Sequence, residues 1–464
     1  MTDPTPALLP LAASLALVVG VVVLARAAAQ AALVHGRLGP EAARRSVQAA
    51  SSAVALALPW LFDSAVPVAV LAVALTAGLA AARWGPARRL ALAGRLGVPS
   101  TGAAAFPLSV AALFWLTADQ PVLYAIPLLM LGLASPAAAA TGKRHGRTRF
   151  ATVDGSKSGE GSVAFAAVAF LCVHVPLLLF TPVGRAESLG IACIVAGVAA
   201  MLEAVSWRGL DVLVVPLGVY VLVLRLMTFS GAILVGHVAF LVVLVGAALA
   251  LRGETTVGGA GVVAAALLAY LIWAVGGMAY VLPPALVFLL YARVWPASRE
   301  ADGLPHSPAR RPHTALNVFS VSAVGVLWLA AARVLGLDLL APYALAWAVP
   351  FAFLGVERMQ AARPAWSVGA VAWRAAWRSA AIAVAPVGLV WGLRAAAGVP
   401  GAPADTLGQT LALAAVALVA TGTAAALLAR YANAIDLDTS DVQGRLVRAA
   451  IVAPLSAVGL LVVW

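Results

Sequence analysis

The chain has 464 residues and a formal net charge of +12; 63% of its residues are hydrophobic, only 10% are charged, and its mean hydropathy is +1.01. Soluble domains carry about 25% charged residues, so a string of soluble domains is excluded, and without short alternating segments a transmembrane β-barrel is excluded too. Apolar runs close to the ~20 residues that cross a hydrocarbon core of about 30 Å recur along the whole chain, which predicts an all-α, polytopic transmembrane helical bundle of about sixteen spans.

In chain order the first half places spans near 7–26, 46–62, 66–82, 103–118, 121–141, 162–182, 186–205 and 210–228. The second half places them near 230–251, 257–275, 277–292, 314–333, 338–357, 375–394, 406–429 and 446–463. The first span has no basic segment before it and no small-residue cleavage site after it, so it reads as a retained helix. The span near 277–292 carries Pro283-Pro284 and is expected to be broken or re-entrant, a geometry tolerated where protein or a cavity satisfies the backbone. A boundary near 225–232 separates two halves, 1–228 and 229–464.

With the first span running outside to inside, every lysine and arginine falls on the inner side except Arg185, Arg225, Arg333 and Arg394. That asymmetry is the positive-inside rule. It places the chain in the cytoplasmic (inner) membrane as a multi-pass protein with basic loops in the cytoplasm and both termini outside. The positive charge follows the membrane, so a nucleic-acid partner is rejected. Cys172 and Cys193 sit in apolar spans and show neither a metal spacing nor a disulfide framework. His174 and His237 near outer span ends read as packing residues, and His35, His145, His306 and His313 as loop residues. The loop at 293–313 reads as a flexible linker. Ala404-Asp405-Thr406 and the segment 435–441, IDLDTSD, read as helix starts; the latter lacks the later glycine and terminal glutamate of a calcium loop.

One segment is out of character with its surroundings: GKRHGRTRFATVDGSKSGEGS, 142–162. Among the 30 basic residues only Lys143 and Lys157 are lysines, and both lie here. Lysine is a compact point charge suited to phosphate. Glycines let backbone N–H groups turn toward an anion, and the segment ends where a helix begins, with Ser162 or the backbone beside it as the expected cap. Phosphate chemistry also calls for carboxylates that hold Mg²⁺. The candidates on this side are Asp154, Glu160, Glu203 and Asp211. Glu203 ends an apolar span, where an ionisable residue is costly and marks function; its alternative is a pair with Arg208.

Four segments in order carry a family likeness. KSGEGS at 157–162 resembles the KSxEGS element of the membrane CTP-dependent polyprenol kinases, the group of phytol kinase and dolichol kinase, related to the phosphatidate cytidylyltransferases. EAARRSVQAASSAVALALPWLF at 41–62 resembles that family's E-x-x-R-K-x-x-H span. SPAAAATGKRHGRTRF at 135–150 resembles its G-D-x-x-A-x-x-x-G-x-x-x-G segment, and LEAVSWRGLDVLVVPLG at 202–218 its E-A-x-S-x-x-G-x-D-N-x-x-x-P-L element.

The resemblance covers residues 1–228 and implies transfer of a phosphoryl group from a nucleoside triphosphate, CTP or ATP, with Mg²⁺, to a long-chain isoprenoid alcohol. It implies phosphate contacts from Lys143, Lys157, Ser158, Gly161 and Ser162, with Arg44 and Arg45 steering the anion. Glu160, Glu203 and Asp211 would serve as catalytic groups, and Asp154, Glu160 and Asp211 as metal ligands. Ser135 stands where the family has an aspartate, Gln48 where it has a histidine, and Val212 where it has an asparagine. Two alternatives follow: a degenerate relative acting as a lipid-binding or transport protein, and a nucleotidyltransferase without the cytidylyltransferase signature. In the second half, LMTFSGAILVG at 226–236 and Glu357 in FAFLGVERM resemble elements of a phytyl-phosphate kinase-like membrane family.

Overall fold

The structure is a computed structural model that describes residues 11–84, 100–117, 120–152, 155–205, 209, 211–250, 259–293, 314–362, 365–399, 405–431 and 442–462. It is helical almost throughout, with twelve helices among these residues long and apolar enough to cross a membrane. The chain forms two compact units, Met1–Val243 and Leu244–Trp464. Asp154, Arg208, the 294–313 part of the linker and the IDLDTSD segment lie outside the described residues.

The first unit contains α1 (Leu11–Val34), α2 (Pro40–Leu56), α3 (Ala65–Trp84), α4 (Thr101–Leu116), α5 (Pro121–His145), α6 (Gly159–Phe180), α7 (Arg185–Val205), α8 (Asp211–Leu226) and the start of α9 (Gly231–Ala250). Helices α7 and α5 form its centre: 61% and 56% of their apolar windows are buried, against 11% for α1 and α3. Small residues allow the close approach that membrane packing needs. A Cβ added at Gly197 of α7 would lie 2.7 Å from Leu241 of α9.

The second unit contains α10 (Gly259–Gly276), α11 (Met278–Arg293), α12 (Ala315–Leu335), α13 (Leu340–Ala362), α14 (Val368–Ala396), α15 (Thr406–Tyr431) and α16 (Val442–Ala457), which continues as a 3₁₀ turn, Val458–Val462. Its axis is α13, with 89% of its apolar window buried. Gly325 of α12 admits the Trp347 indole of α13, which would stand 2.8 Å from an added Cβ. Asp405 caps α15 by accepting the Gly408 N–H at 2.8 Å, as the sequence suggested.

Every expected span coincides with a helix, but sixteen spans are not supported. Helices α2, α4, α8 and α11 have only 16 or 17 residues. Helix α2 is also amphipathic: Glu41, Arg45, Gln48 and Ser52 recur at helical spacing, and it ends at Leu56, with a break at Ala57 before a separate helical turn, Leu58–Leu61, that carries Pro59. The expected break at Pro283-Pro284 is absent, because α11 runs unbroken through both prolines.

Proline cannot serve the carbonyl four residues before it, and in three places a neighbouring side chain does so. Pro284 leaves the Tyr280 carbonyl, which accepts from the Tyr343 hydroxyl at 2.6 Å. Pro59 leaves the Ala55 carbonyl, which accepts from the buried Tyr124 hydroxyl at 2.7 Å. In α5, a π-helical turn at Met130–Ala134 shifts the Ser135 N–H onto the Met130 carbonyl. Pro136 follows with no N–H, so the Leu131 carbonyl accepts instead from Gln48 Nε2 of α2 at 3.4 Å.

Tyr124→Phe removes one such donor while keeping the ring's edge contact with Phe114, whose centroid is 5.7 Å away. We expect a loss of about 1–2 kcal/mol, read by reversible unfolding of the purified chain in mixed micelles. An unchanged midpoint would show that the Ala55 carbonyl needs no partner.

Candidate functional site at the basic end of the first unit

The basic segment is more ordered than its glycines suggest. Helix α5 carries the chain to His145, and a two-stranded antiparallel hairpin follows, β1 (Arg149–Thr152) and β2 (Gly155–Ser158), with Phe150 opposite Lys157. The hairpin consumes its own backbone hydrogen bonds and feeds directly into α6. The cap is therefore Ser158 rather than Ser162: its buried Oγ accepts the Gly161 N–H at 3.1 Å, and Ser162 is half-buried in the first turn.

The glycines here serve close packing. The end of α5 crosses the start of α6 so tightly that a Cβ on Gly142 would lie 2.7 Å from Ser158 Oγ. One on Gly161 would lie 2.9 Å from the Ala138 carbonyl oxygen. Gly161, expected at a phosphate, is buried at this crossing.

Lys157 is presented by β2 to the C-terminal end of α7. Its Nζ donates to Glu203 Oε1 at 2.7 Å and also to the Glu203 backbone carbonyl. The side chains are 29% and 14% exposed, so this is a half-buried, charge-assisted pair rather than a surface contact screened by water. The C-terminus of a helix favours a cation, a second reason for the ammonium to settle there. Glu203 therefore pairs with Lys157, where the sequence offered Arg208.

Glu160, expected at a metal or at the substrate hydroxyl, turns back toward the hairpin. The Thr148 N–H donates to Glu160 Oε1 at 3.0 Å and to Oε2 at 3.3 Å. The carboxylate thus fastens the hairpin to the first turn of α6. Among the described residues no group of three or more His, Cys, Asp or Glu side chains could hold a metal ion. With Glu160 on Thr148, Glu203 on Lys157 and Asp154 outside the described residues, only Asp211 remains. Among the described residues the carboxylates form no preassembled magnesium site.

Arg45 lies inside a network instead of reaching out to an anion. Its Nε donates to Glu41 at 2.9 Å, and its Nη1 donates to Gln48 Oε1 at 3.2 Å and to Ser135 Oγ at 2.8 Å. Ser135 and Gln48, two of the positions that depart from the resembled family, thus meet on one guanidinium beside the π turn. Periodicity along α2 could have flagged this stripe; its partner in α5 could not be read from sequence.

Arg44 and Lys143 are exposed. Lys143 Nζ lies 4.0 Å from a Cβ built on Gly39, which puts the α1–α2 turn beside the end of α5. Asp211 opens α8, half-buried. Just before it, Gly209 has φ +76°, a conformation glycine adopts without penalty. It presses on Gly102 at the start of α4, where a Cβ on Gly102 would meet the Gly209 carbonyl oxygen at 2.5 Å. Val212 shares that contact, 3.2 Å from the same Cβ position. Among the described residues no hydrogen bond or ion pair joins Asp211, Arg44 or Lys143 to the Lys157–Glu203 pair.

Elsewhere the polar residues pack as expected. His174 stacks on Phe170 and bonds Ser188 Oγ at 3.0 Å, while the buried His237 lies tilted against the Phe229 ring. Both cysteines are free; Cys172 is buried, whereas Cys193 is exposed on the flank of α7.

A double-mutant cycle with Lys157→Met and Glu203→Gln is expected to give a coupling of about 1–2 kcal/mol in unfolding free energy. Additive single losses would mean the two groups do not share a contact. No protein-family model, no curated protein and no solved structure matches the chain.

Proposed function

We propose that the first unit is an integral-membrane phosphotransferase that moves the terminal phosphoryl group of a nucleoside triphosphate, CTP or ATP, to the hydroxyl of a long-chain isoprenoid alcohol. The observation that carries this reading is the Lys157–Glu203 pair, which brings the KSGEGS segment and the LEAVSWRGLD segment of the family likeness into direct contact. An ammonium, the capped start of α6 and the exposed Lys143, Arg44, Arg144 and Arg147 all lie around one end of the helices. Together they suit an anion at a membrane rim.

On this reading the basic loops are cytoplasmic, the nucleotide stays in water and the alcohol's chain stays in lipid. The alcohol oxygen attacks the γ-phosphorus, and the bond to the β–γ bridging oxygen breaks. The nucleoside diphosphate leaves, and the hydroxyl proton passes to a carboxylate. Lys157 leaves Glu203 for the phosphates as the nucleotide enters, and Lys143 screens the outer charges. Asp211, which makes no ion pair with a described residue, is the assigned proton acceptor, with Glu203 beside the phosphates. Glu160 holds the hairpin. Catalysis of this kind is positioning plus charge stabilisation.

A second reading, a relative that binds nucleotide or lipid without transfer, is favoured by one observation: Arg45 is satisfied by Ser135, where the resembled family has an aspartate. The test gives purified chain labelled CTP or ATP, Mg²⁺ and a panel of prenyl alcohols. Under the first reading the wild type forms labelled prenyl phosphate, and Lys157→Ala or Asp211→Asn lowers the rate by about 100-fold. Nucleotide binding with no product selects the second reading. Release of pyrophosphate with a nucleotidyl-lipid product would replace both with nucleotidyl transfer.

A further inference from the structure

The hairpin that presents Lys157 carries a second side chain that the transfer reading does not use. Phe150 is the one phenylalanine, tyrosine or tryptophan in the segment 142–162. The strand register places it directly opposite Lys157. Paired residues raise their side chains from the same face of a sheet, with Cβ atoms about 5 Å apart. That face is turned toward the end of α7, because from it Lys157 Nζ reaches the Glu203 carboxylate and carbonyl. Phe150 therefore stands beside the ammonium, on the side where the polyphosphate is proposed to enter.

Packing does not account for the ring. Strand β1 packs chiefly on β2, and β2 on the start of α6. A two-stranded ribbon this short has no core of its own in which to enclose a phenylalanine. Phe150 is only half-buried, and among the described residues its ring meets no other aromatic ring and no guanidinium. The face thus offers a flat apolar ring and, carried away from it on the lysine stem, a cation. A nucleoside triphosphate has the matching parts in the same order: a flat base and, one sugar away, a polyanion.

We propose that Phe150 is the platform on which the nucleobase of the phosphoryl donor stacks. This rests on the transfer reading and adds the recognition of the base to it. The base lies against the Phe150 ring, and the polyphosphate runs from there to the ammonium that Lys157 withdraws from Glu203. Every base has a π face, so a stacking contact holds cytosine and adenine alike. The donor is then selected as a nucleotide rather than by the edge of one particular base. Inorganic tripolyphosphate, which has no ring, gains nothing from Phe150.

The test measures equilibrium binding of CTP, ATP and inorganic tripolyphosphate to the full chain in neutral detergent with Mg²⁺. Phe150→Ala is expected to weaken CTP and ATP by about 10-fold each and to leave tripolyphosphate unchanged. Phe150→Tyr keeps the ring and is expected to bind as the wild type does. Phe150→Leu keeps an apolar side chain without a π face and is expected to follow Phe150→Ala. Equal losses for all three anions in Phe150→Ala would mean that the ring only holds the hairpin in place. Wild-type affinity for both nucleotides in Phe150→Leu would mean that apolar bulk suffices. Either result overturns the proposal and leaves the transfer reading standing, because the wild type still binds nucleotide. A wild type that binds neither CTP nor ATP overturns the transfer reading, and the stacking role falls with it.

Discussion

The constraint from which the rest of this structure follows is that a backbone carbonyl surrounded by hydrocarbon must find a donor within the protein. A regular helix supplies one automatically. This chain interrupts its helices with prolines, and at Pro59, Pro136 and Pro284 the freed carbonyl meets a donor from another helix: Tyr124, Gln48 and Tyr343. Each donor ties two helices at a defined height, so what begins as a local defect fixes register between elements. Tyr124 and Gln48 both link α5 to α2, one before the π turn and one within it, and together they set where α2 lies along α5.

That alignment decides where the chemistry sits. With α2 fixed on the π turn, Arg45 reaches Ser135, and the turn before α2 lies beside Lys143. The crossing of α5 and α6 at Gly142 and Gly161 then aims the hairpin so that Lys157 meets the end of α7. A larger residue at either glycine would collide with Ser158 Oγ or the Ala138 carbonyl and push Lys157 away from Glu203. The basic end is thus assembled from helix termini whose relative heights are set by packing deeper in the unit.

The all-α membrane class was legible in composition and run length alone, because hydrocarbon thickness acts on each span separately. So was the cap at Asp405. The span count was less legible: run length overlooked that α2 carries a polar stripe, Arg45, Gln48 and Ser52, turned toward α5. The cap at Ser158 was misplaced by a turn because the hairpin, whose stability comes from pairing across the chain, does not announce itself in a glycine-rich string. The Lys157 and Glu203 side chains were each singled out in sequence, but their pairing depends on a contact between segments 46 residues apart. No periodicity encodes that.

The pairing bears on mechanism in a way a free lysine would not. A half-buried ammonium with no counter-charge would be costly, and so would the carboxylate that ends α7. Each makes the other tolerable, and an entering polyphosphate can exchange one anionic partner for another without leaving the lysine unpaired. On the proposed reading the same exchange uncovers Glu203 beside the incoming phosphates, where its repulsion would limit how tightly a nucleotide is held. On the proposed reading that repulsion is useful, because binding energy that is withheld from the ground state and recovered as the γ-phosphoryl group departs lowers the barrier rather than the dissociation constant. The arrangement of Arg45 on Ser135 follows the opposite logic. A guanidinium already satisfied by Glu41, Gln48 and a neutral hydroxyl gains little by turning to an anion, so on the proposed reading phosphate recognition would fall to Lys157, Lys143 and the start of α6.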